Sequence, residues 1–159
     1  MNKVILVGKA AAGKDHMRKV MESRGFVYGI SFTTRPPREG EVHGKDYYFL
    51  TVEEFEQKIK ENFWYEYVTF NGWYYGTSNE QFYDTCNLFI MTPIGISHIK
   101  PEDRHECTIF YIDIPIEVRR ERLLNRHMPG DSLDRRIEAD ENDFKNFIDY
   151  DIKINNPNF

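Results

Sequence analysis

A chain of 159 residues with 40% hydrophobic and 30% charged residues can bury one substantial core but not two, and its composition excludes a disordered chain. The formal net charge of −5 argues against a protein whose main task is to grip a nucleic-acid polymer through its phosphates. The first apolar run, residues 4–7, is too short for a secretory signal or a membrane span, so a cytoplasmic protein with no membrane partner is expected.

Residues 4–7 are apolar throughout and end at Gly8, the pattern of a central parallel strand buried on both faces. The next segment, Gly8-Lys9-Ala10-Ala11-Ala12-Gly13-Lys14-Asp15, fits the phosphate-loop pattern GxxxxGK[ST] at every fixed position except the last. A helix over 15–24 follows, with Met17, Val20 and Met21 at helical spacing and Gly25 as its stop. Strand, glycine loop and helix in that order bring backbone N–H groups and the helix dipole onto phosphate oxygens, so Gly8, Ala11, Ala12, Gly13 and Lys14 are expected to bind ATP. Asp15 stands where a hydroxyl residue normally binds Mg²⁺. It has two readings, a carboxylate holding that ion directly or through water, and a first-turn acid favoured by the helix dipole.

Residues 31–46, with Pro36, Pro37, Gly40 and Gly44 among charges, read as an excursion from the core of the kind that carries ligand contacts. Thr51 and Glu54 form a capping box, and Val52, Phe55 and Ile59 mark one face of the helix it starts. Asn71-Gly72 between 63–70 and 73–75 predicts a hairpin, and Ser78 with Gln81 predicts another helix start. Residues 88–91, 108–112 and 151–154 read as strands, and 94–99, 115–126 and 132–147 as helices, with a break at Pro129-Gly130 that suits a moving flap. Cys86 and Cys107 have neither disulfide-framework nor zinc spacing, and the five histidines are scattered, so free thiols and no protein-held metal cluster are expected.

Arg35 and Arg38, on a proline-stiffened loop, offer two planar forks suited to a phosphate dianion, with Tyr47 and Tyr75 as hydroxyl donors; a solvated basic loop is the competing reading. The stretch Ser31-Phe32-Thr33-Thr34-Arg35-Pro36-Pro37-Arg38-Glu39-Gly40-Glu41-Val42-His43-Gly44-Lys45-Asp46-Tyr47-Tyr48-Phe49 closely resembles the monophosphate-binding segment of guanylate kinases. The resemblance continues through Glu66 and Gly72-Trp73-Tyr74-Tyr75-Gly76-Thr77-Ser78, and more loosely to the last strand, though not to the helix that follows that strand in the family.

This resemblance implies an α/β fold: a P-loop NTPase-type parallel sheet core flanked by helices, with a small β-containing monophosphate-binding subdomain and a mobile lid. In this numbering the core is 1–30 and 86–159, the subdomain 31–85 and the lid 122–136. It also implies an enzyme that uses ATP and Mg²⁺ to phosphorylate a nucleoside monophosphate, GMP or dGMP. Arg35, Arg38, Tyr47 and Tyr75 then hold the acceptor phosphate, Glu66, Ser31 and Thr77 meet the guanine, and Lys14, Arg122, Arg126 and Arg136 act on the transferring group. Asn156 matches a position near the adenine of ATP.

From the residues alone, Glu66 is equally a cross-strand charge, Thr77 a residue starting a helix, and the arginines near the lid partners of Glu117, Glu121 or Asp134. Thr92 is also expected at the acceptor nucleotide, though it departs from the pattern, because the family carries an acid about three positions before the glycine, here Gly95. Two other functions stay open. One is a non-catalytic module of the same family that holds a phosphorylated peptide, and the other a kinase for another nucleotide or small phosphorylated acceptor, suggested by the Gly13-Lys14-Asp15 ending. Whether the chain is a monomer or a dimer is not legible.

Overall fold

The computed structural model describes residues 2–125 and 130–159, with side chains from 133 onward in the second stretch. Strand β1 (Lys3–Gly8) is buried along its whole length, as its unbroken apolar run requires. It lies between β6 (Leu88–Ile90) and β7 (Cys107–Ile112), and β8 (Ile152–Ile154) completes a parallel sheet in the order β6-β1-β7-β8. Helices α1 (Lys14–Ser23), α5 (Ile116–Leu124) and α6 (Gly130–Asp143) occur in the connections between these strands. One side of the sheet packs Ile5, Val7, Ile109 and Tyr111 on Phe82, Phe89 and Ile96, and Val4, Leu6 and Leu88 meet Met17 and Met21 of α1.

A second sheet is drawn wholly from residues 32–78, in the order β3-β2-β5-β4: β2 (Phe32–Thr33), β3 (Tyr48–Phe49), β4 (Trp64–Phe70) and β5 (Trp73–Ser78). The β4–β5 turn is the expected Asn71-Gly72, with φ of 53° and 83°, the pair of positive values a tight hairpin requires. Helix α2 (Val52–Lys60) begins at the expected capping box: the Glu54 amide donates to Thr51 Oγ1 at 3.1 Å and the Thr51 amide to Glu54 Oε1 at 2.9 Å. Its buried Phe55 stacks on Trp64 at 4.0 Å and on Tyr74 at 4.6 Å, which fastens the helix to both strands of the hairpin.

Several boundaries differ from expectation. β2 and β3, two residues each, are too short to show a period in sequence; Phe32 and Tyr48 pair in register with ring centroids 4.7 Å apart. β5 runs on to Ser78 rather than stopping at Tyr75. The Ser78–Gln81 reciprocal bonds do form, at 3.0 and 3.1 Å, but they introduce a π-helical turn, Gln81–Thr85, instead of an α-helix. A short α3 (Pro93–Ser97) is followed by α4 (Pro101–Arg104), which sequence spacing did not reveal. Helix α6 stops at Asp143, short of 147; beyond it Asn146 takes φ 65°, and Phe144 and Phe147 both turn onto Tyr111 at 5.3 Å.

Cys86 and Cys107 are buried free thiols, and burial pushes that of Cys107 up to about 11. Among the described residues no helix is long and apolar enough to cross a membrane.

Candidate functional site

A cleft of about 760 Å³ runs between the C-terminal end of β1 and the second sheet. At one end is the glycine loop. Gly8 lies so close to β7 that a Cβ there would stand 2.7 Å from the Ile112 carbonyl, and Gly13 holds φ 105° as the N-cap of α1. With Ala11 also left-handed, at φ 61°, the loop curls ahead of the helix N-terminus, and Lys14 Nζ folds back to donate to the Gly8 carbonyl. Asp15 is exposed at the head of α1, 3.5 Å from Arg18 Nε, and faces the cleft. Its place in the first turn of α1 suits the helix-dipole reading of Asp15.

At the other end Thr33, fully buried, organises the acceptor loop. Its hydroxyl donates to the Tyr74 carbonyl at 2.8 Å and accepts the Arg35 amide at 3.1 Å. Arg35, only 5% exposed, places its fork on Glu41, with Nη1 to Oε1 at 2.8 Å and Nη2 to Oε2 at 3.0 Å, and lies 5.1 Å over the Tyr47 ring. Glu41 also accepts the Arg38 amide at 2.7 Å, and the Arg35 bonds hold its carboxyl below the usual range. Tyr47 and Tyr75 stand with centroids 6.1 Å apart, and burial raises the Tyr47 phenol. Sequence reasoning missed Glu41; its signal was its place three residues after Arg38.

Glu66 sits beside a β-bulge. The β4–β5 register slips between Trp64 and Glu66, so Tyr65 enters the core while Glu66, Val68 and Phe70 all face the cleft. Glu66 is 8% exposed, and its Oε1 accepts a 2.9 Å bond from Thr77 Oγ1 directly across the ladder. Burial pushes its carboxyl from 4.5 up to about 7, with the Thr77 bond opposing the shift. Thr77 is therefore a strand residue behind Glu66, off the cleft wall, and does not start a helix. Ser31 and Thr92 do line the cleft. Thr92 is the N-cap of α3, its Oγ1 accepting the Gly95 amide at 3.0 Å, and a Cβ on Gly95 would come within 3.2 Å of Glu66 Oε2.

The arginines expected over the transferring phosphate divide. Arg122 and Arg136 line the cleft, while Arg126 lies outside the described residues. Arg122 is tied to backbone: Nη1 donates to the Ala11 carbonyl at 2.9 Å and Nη2 to the Pro157 carbonyl at 3.1 Å. Of the neighbours, Arg120 pairs with Asp134 at 3.6 Å, as the surface-pairing reading held, and Arg135 is exposed. Arg119 is buried, with Nε donating to the Ile114 carbonyl. Asn156, expected near a donor base, is off the cleft wall; its Oδ1 accepts the Asn158 amide at 2.9 Å and so shapes the final turn. Pro157 and Phe159 line the wall in its stead, and Asp140 accepts the Ala10 amide at 2.9 Å; neither Phe159 nor Asp140 was singled out from sequence.

Among the described residues no group of three or more His, Cys, Asp and Glu side chains could hold a metal. Mg²⁺ commonly binds through one or two carboxylates plus substrate phosphates rather than a protein cage. The exposed Asp15 carboxylate at the head of α1 fits that arrangement.

The guanylate kinase family model matches residues 1–159. The chain is 35% identical to the guanylate kinase of Onion yellows phytoplasma (strain OY-M), over 96% of this chain and 77% of that protein. It is 31% identical to the guanylate kinase of Bacillus subtilis (strain 168), over 98% of this chain and 80% of that one. The fold is similar to a crystal structure of guanylate kinase from Anaplasma phagocytophilum, with a TM-score of 0.74 at 24% identity, covering 98% of this chain and 76% of that chain.

Proposed function

The chain belongs to the guanylate kinase family, and from the arrangement of its cleft we propose that it transfers the γ-phosphate of ATP to GMP or dGMP. The observation that carries this reading is the pairing of a phosphate loop with a buried, singly partnered carboxylate in one cleft. Guanine presents N1–H and its 2-amino group side by side, and Glu66 can accept both while Thr77 holds the carboxylate in place. Adenine offers an acceptor at N1 and no 2-amino group, so it would leave Glu66 without a ligand partner, the kind of mismatch that gives strong discrimination. Thr92 Oγ1 accepts the Gly95 amide and keeps its own O–H to donate, so Thr92 can join Glu66 and Ser31 at the base.

In the reaction an oxygen of the acceptor phosphate forms a bond to the γ-phosphorus as the bond from that phosphorus to the β–γ bridging oxygen breaks, giving ADP and GDP. The attacker is already largely a dianion at neutral pH, its second pKa being about 6, so no side-chain base is required. Arg35, oriented by Glu41 and Tyr47, fixes the acceptor phosphate together with Arg38, Tyr47 and Tyr75. Lys14, the amides of Gly8 to Gly13 and the arginines Arg122, Arg126 and Arg136 counter the charge that spreads over the transferring group. Asp15 would hold Mg²⁺, which supplies further charge neutralisation on the phosphates when bound. Residues 31–85 act as the monophosphate-binding part, 1–30 and 86–159 as the core, and 122–136 as a lid, in a cytoplasmic setting where free nucleotides are the substrates.

The test is an ATP-coupled turnover screen over GMP, dGMP, AMP, dAMP, CMP, dCMP, UMP and dTMP. Turnover concentrated in GMP and dGMP is expected; turnover confined to pyrimidines refutes the role given to Glu66. Acceptor binding with no ATP affinity would point to the phosphopeptide-binding module instead.

A further inference from the structure

Glu66 faces the cleft, but the residue before it is fastened elsewhere. The β4–β5 register runs from Trp64 opposite Ser78 to Glu66 opposite Thr77, so Tyr65 is the residue that the ladder skips. A bulge residue of this kind has no cross-strand partner to fix its backbone. Yet the bulge decides which way Glu66 points, because a slip of one residue turns side chains to the opposite face of a sheet. Here Trp64 packs on Phe55 of α2 and Glu66 faces the cleft.

The Tyr65 side chain supplies the anchorage that the ladder does not. Its ring, 7% exposed, lies flat on Phe82 with centroids 3.6 Å apart. Its hydroxyl donates to Asp103 Oδ2 at 2.8 Å and accepts the Lys100 amide at 3.0 Å, so it bonds to α4 and to the N-cap of that helix at once. Asp103 Oδ2 also accepts the Tyr83 hydroxyl at 2.8 Å, and Lys100 Nζ stands 5.8 Å from the centre of the Tyr65 ring and 5.9 Å from that of Tyr83. Burial raises the Tyr65 phenol above its ordinary range, so it stays a donor. The preceding helix, α3, closes on the carboxylate itself, since a Cβ on its Gly95 would come within 3.2 Å of Glu66 Oε2. Two successive core elements thus meet Glu66 and the residue before it.

We propose that Tyr65 is a positioning residue for the base-reading carboxylate: bonded to Asp103, it pins the β4 bulge and keeps Glu66 at the angle that guanine requires. This rests on the phosphotransferase reading above and on the part given there to Glu66. Tyr65 itself lies off the cleft wall, so its effect reaches the substrate through Glu66. Hydrogen bonds to a base edge are directional, and a displacement of about 1 Å can cost as much as ~100-fold. The acceptor phosphate site is set by Thr33 and Glu41, outside the bulge. Choice of base and grip on the phosphate are therefore separable.

The experiment compares the KM of GMP, the inhibition constant of AMP against GMP and the KM of ATP in the unaltered chain, Tyr65→Phe, Asp103→Ala and Asp103→Asn. Tyr65→Phe keeps the ring on Phe82 and removes only the hydroxyl. The GMP KM should rise about tenfold, with the AMP constant and the ATP KM unchanged. Asp103→Ala should reproduce that loss, and the two changes together should cost no more than either alone. Asp103→Asn keeps an oxygen that accepts from the phenol, and it should keep the GMP KM of the unaltered chain. A tie that is merely structural lowers Tm and moves all three constants together or none of them, and either pattern overturns the proposal. So does a loss in Asp103→Asn equal to that in Asp103→Ala. If Tyr65→Phe fails to fold, the two Asp103 variants decide. If the unaltered chain makes no GDP, the phosphotransferase reading falls and this proposal with it; if it makes GDP and Tyr65→Phe keeps the GMP KM, only this proposal does.

Discussion

Glu66→Gln should make the protein more stable and nearly useless for guanine, and the size of the first effect follows from burial. In the free protein the carboxyl is raised from 4.5 to about 7 because ionisation beneath the hairpin is penalised. The sign is that of a raised acid: below about pH 4.5 the group is protonated folded and unfolded, and it costs nothing. As pH climbs from 4.5 to 7 the unfolded chain ionises first, so the fold loses stability, and the full penalty stands above pH 7. At 1.36 kcal/mol per unit the penalty is on the order of 3 kcal/mol. Gln is neutral at every pH and can still accept from Thr77 Oγ1, so it removes this cost without emptying the site. For a chain of this size that corresponds to a rise in Tm of up to about 6–12 °C at pH 8, shrinking toward zero at pH 4.5. The same change turns an amide N–H₂ toward guanine donors, and GMP kcat/KM should fall about a hundredfold or more. Thermal melts of both chains from pH 4.5 to 8 decide the matter. A Tm gain below about 1 °C at pH 8, or one that does not depend on pH, refutes the buried-carboxylate reasoning.

The same group predicts that GMP affinity climbs from pH 5.5 to about 7 and then levels off, whereas AMP, which shares the phosphate but not the base donors, follows only its own phosphate ionisation; calorimetry in buffers of different ionisation enthalpy reads the proton released. Lys14→Met should cost ~10²–10³-fold in turnover with an unchanged melt, and unchanged turnover removes the phosphate loop from the mechanism. Arg35→Lys loses the two-point contact with Glu41, so the acceptor KM should rise about 10–100-fold while the ATP KM stays put, as initial-rate kinetics will show. Asp15→Asn should weaken binding of ATP with Mg²⁺ more than binding of ATP alone, measured by titration calorimetry with and without the ion; equal losses would leave Asp15 as a helix-dipole acid only.

The features legible in sequence were those whose physics is local. The glycine loop depends on residues eight positions apart at most, the β4–β5 turn on two, and the capping box at Thr51 on four, so each appears where it was read. Ser78 and Gln81 show the limit of that method. Their reciprocal bonds formed as read, but β5 pairing holds Ser78 in strand geometry, and only a π-helical turn follows. β2 and β3 escaped because two residues carry no periodicity and their pairing partner is sixteen residues away.

In the cleft, residue types were legible and their partners were not. The charges of Arg35 and Arg122 announced phosphate chemistry, yet that Arg35 rests on Glu41 follows from how one proline-stiffened loop folds back on itself, and that Arg122 rests on two carbonyls from how distant segments meet. Phe159 looks like ordinary apolar sequence until β8 carries it to Gly13. Asn156 shows the converse, a residue singled out by resemblance whose Oδ1 also accepts a bond in a local turn.

The central claim, that this cleft moves a phosphoryl group between two nucleotides, is tested most directly by ³¹P NMR of the protein with ATP, Mg²⁺ and GMP. The account predicts that the γ-phosphorus signal of ATP is lost as one GDP and one ADP appear for each ATP consumed. ATP left intact while GMP binds, or ADP formed with no GDP, would contradict it.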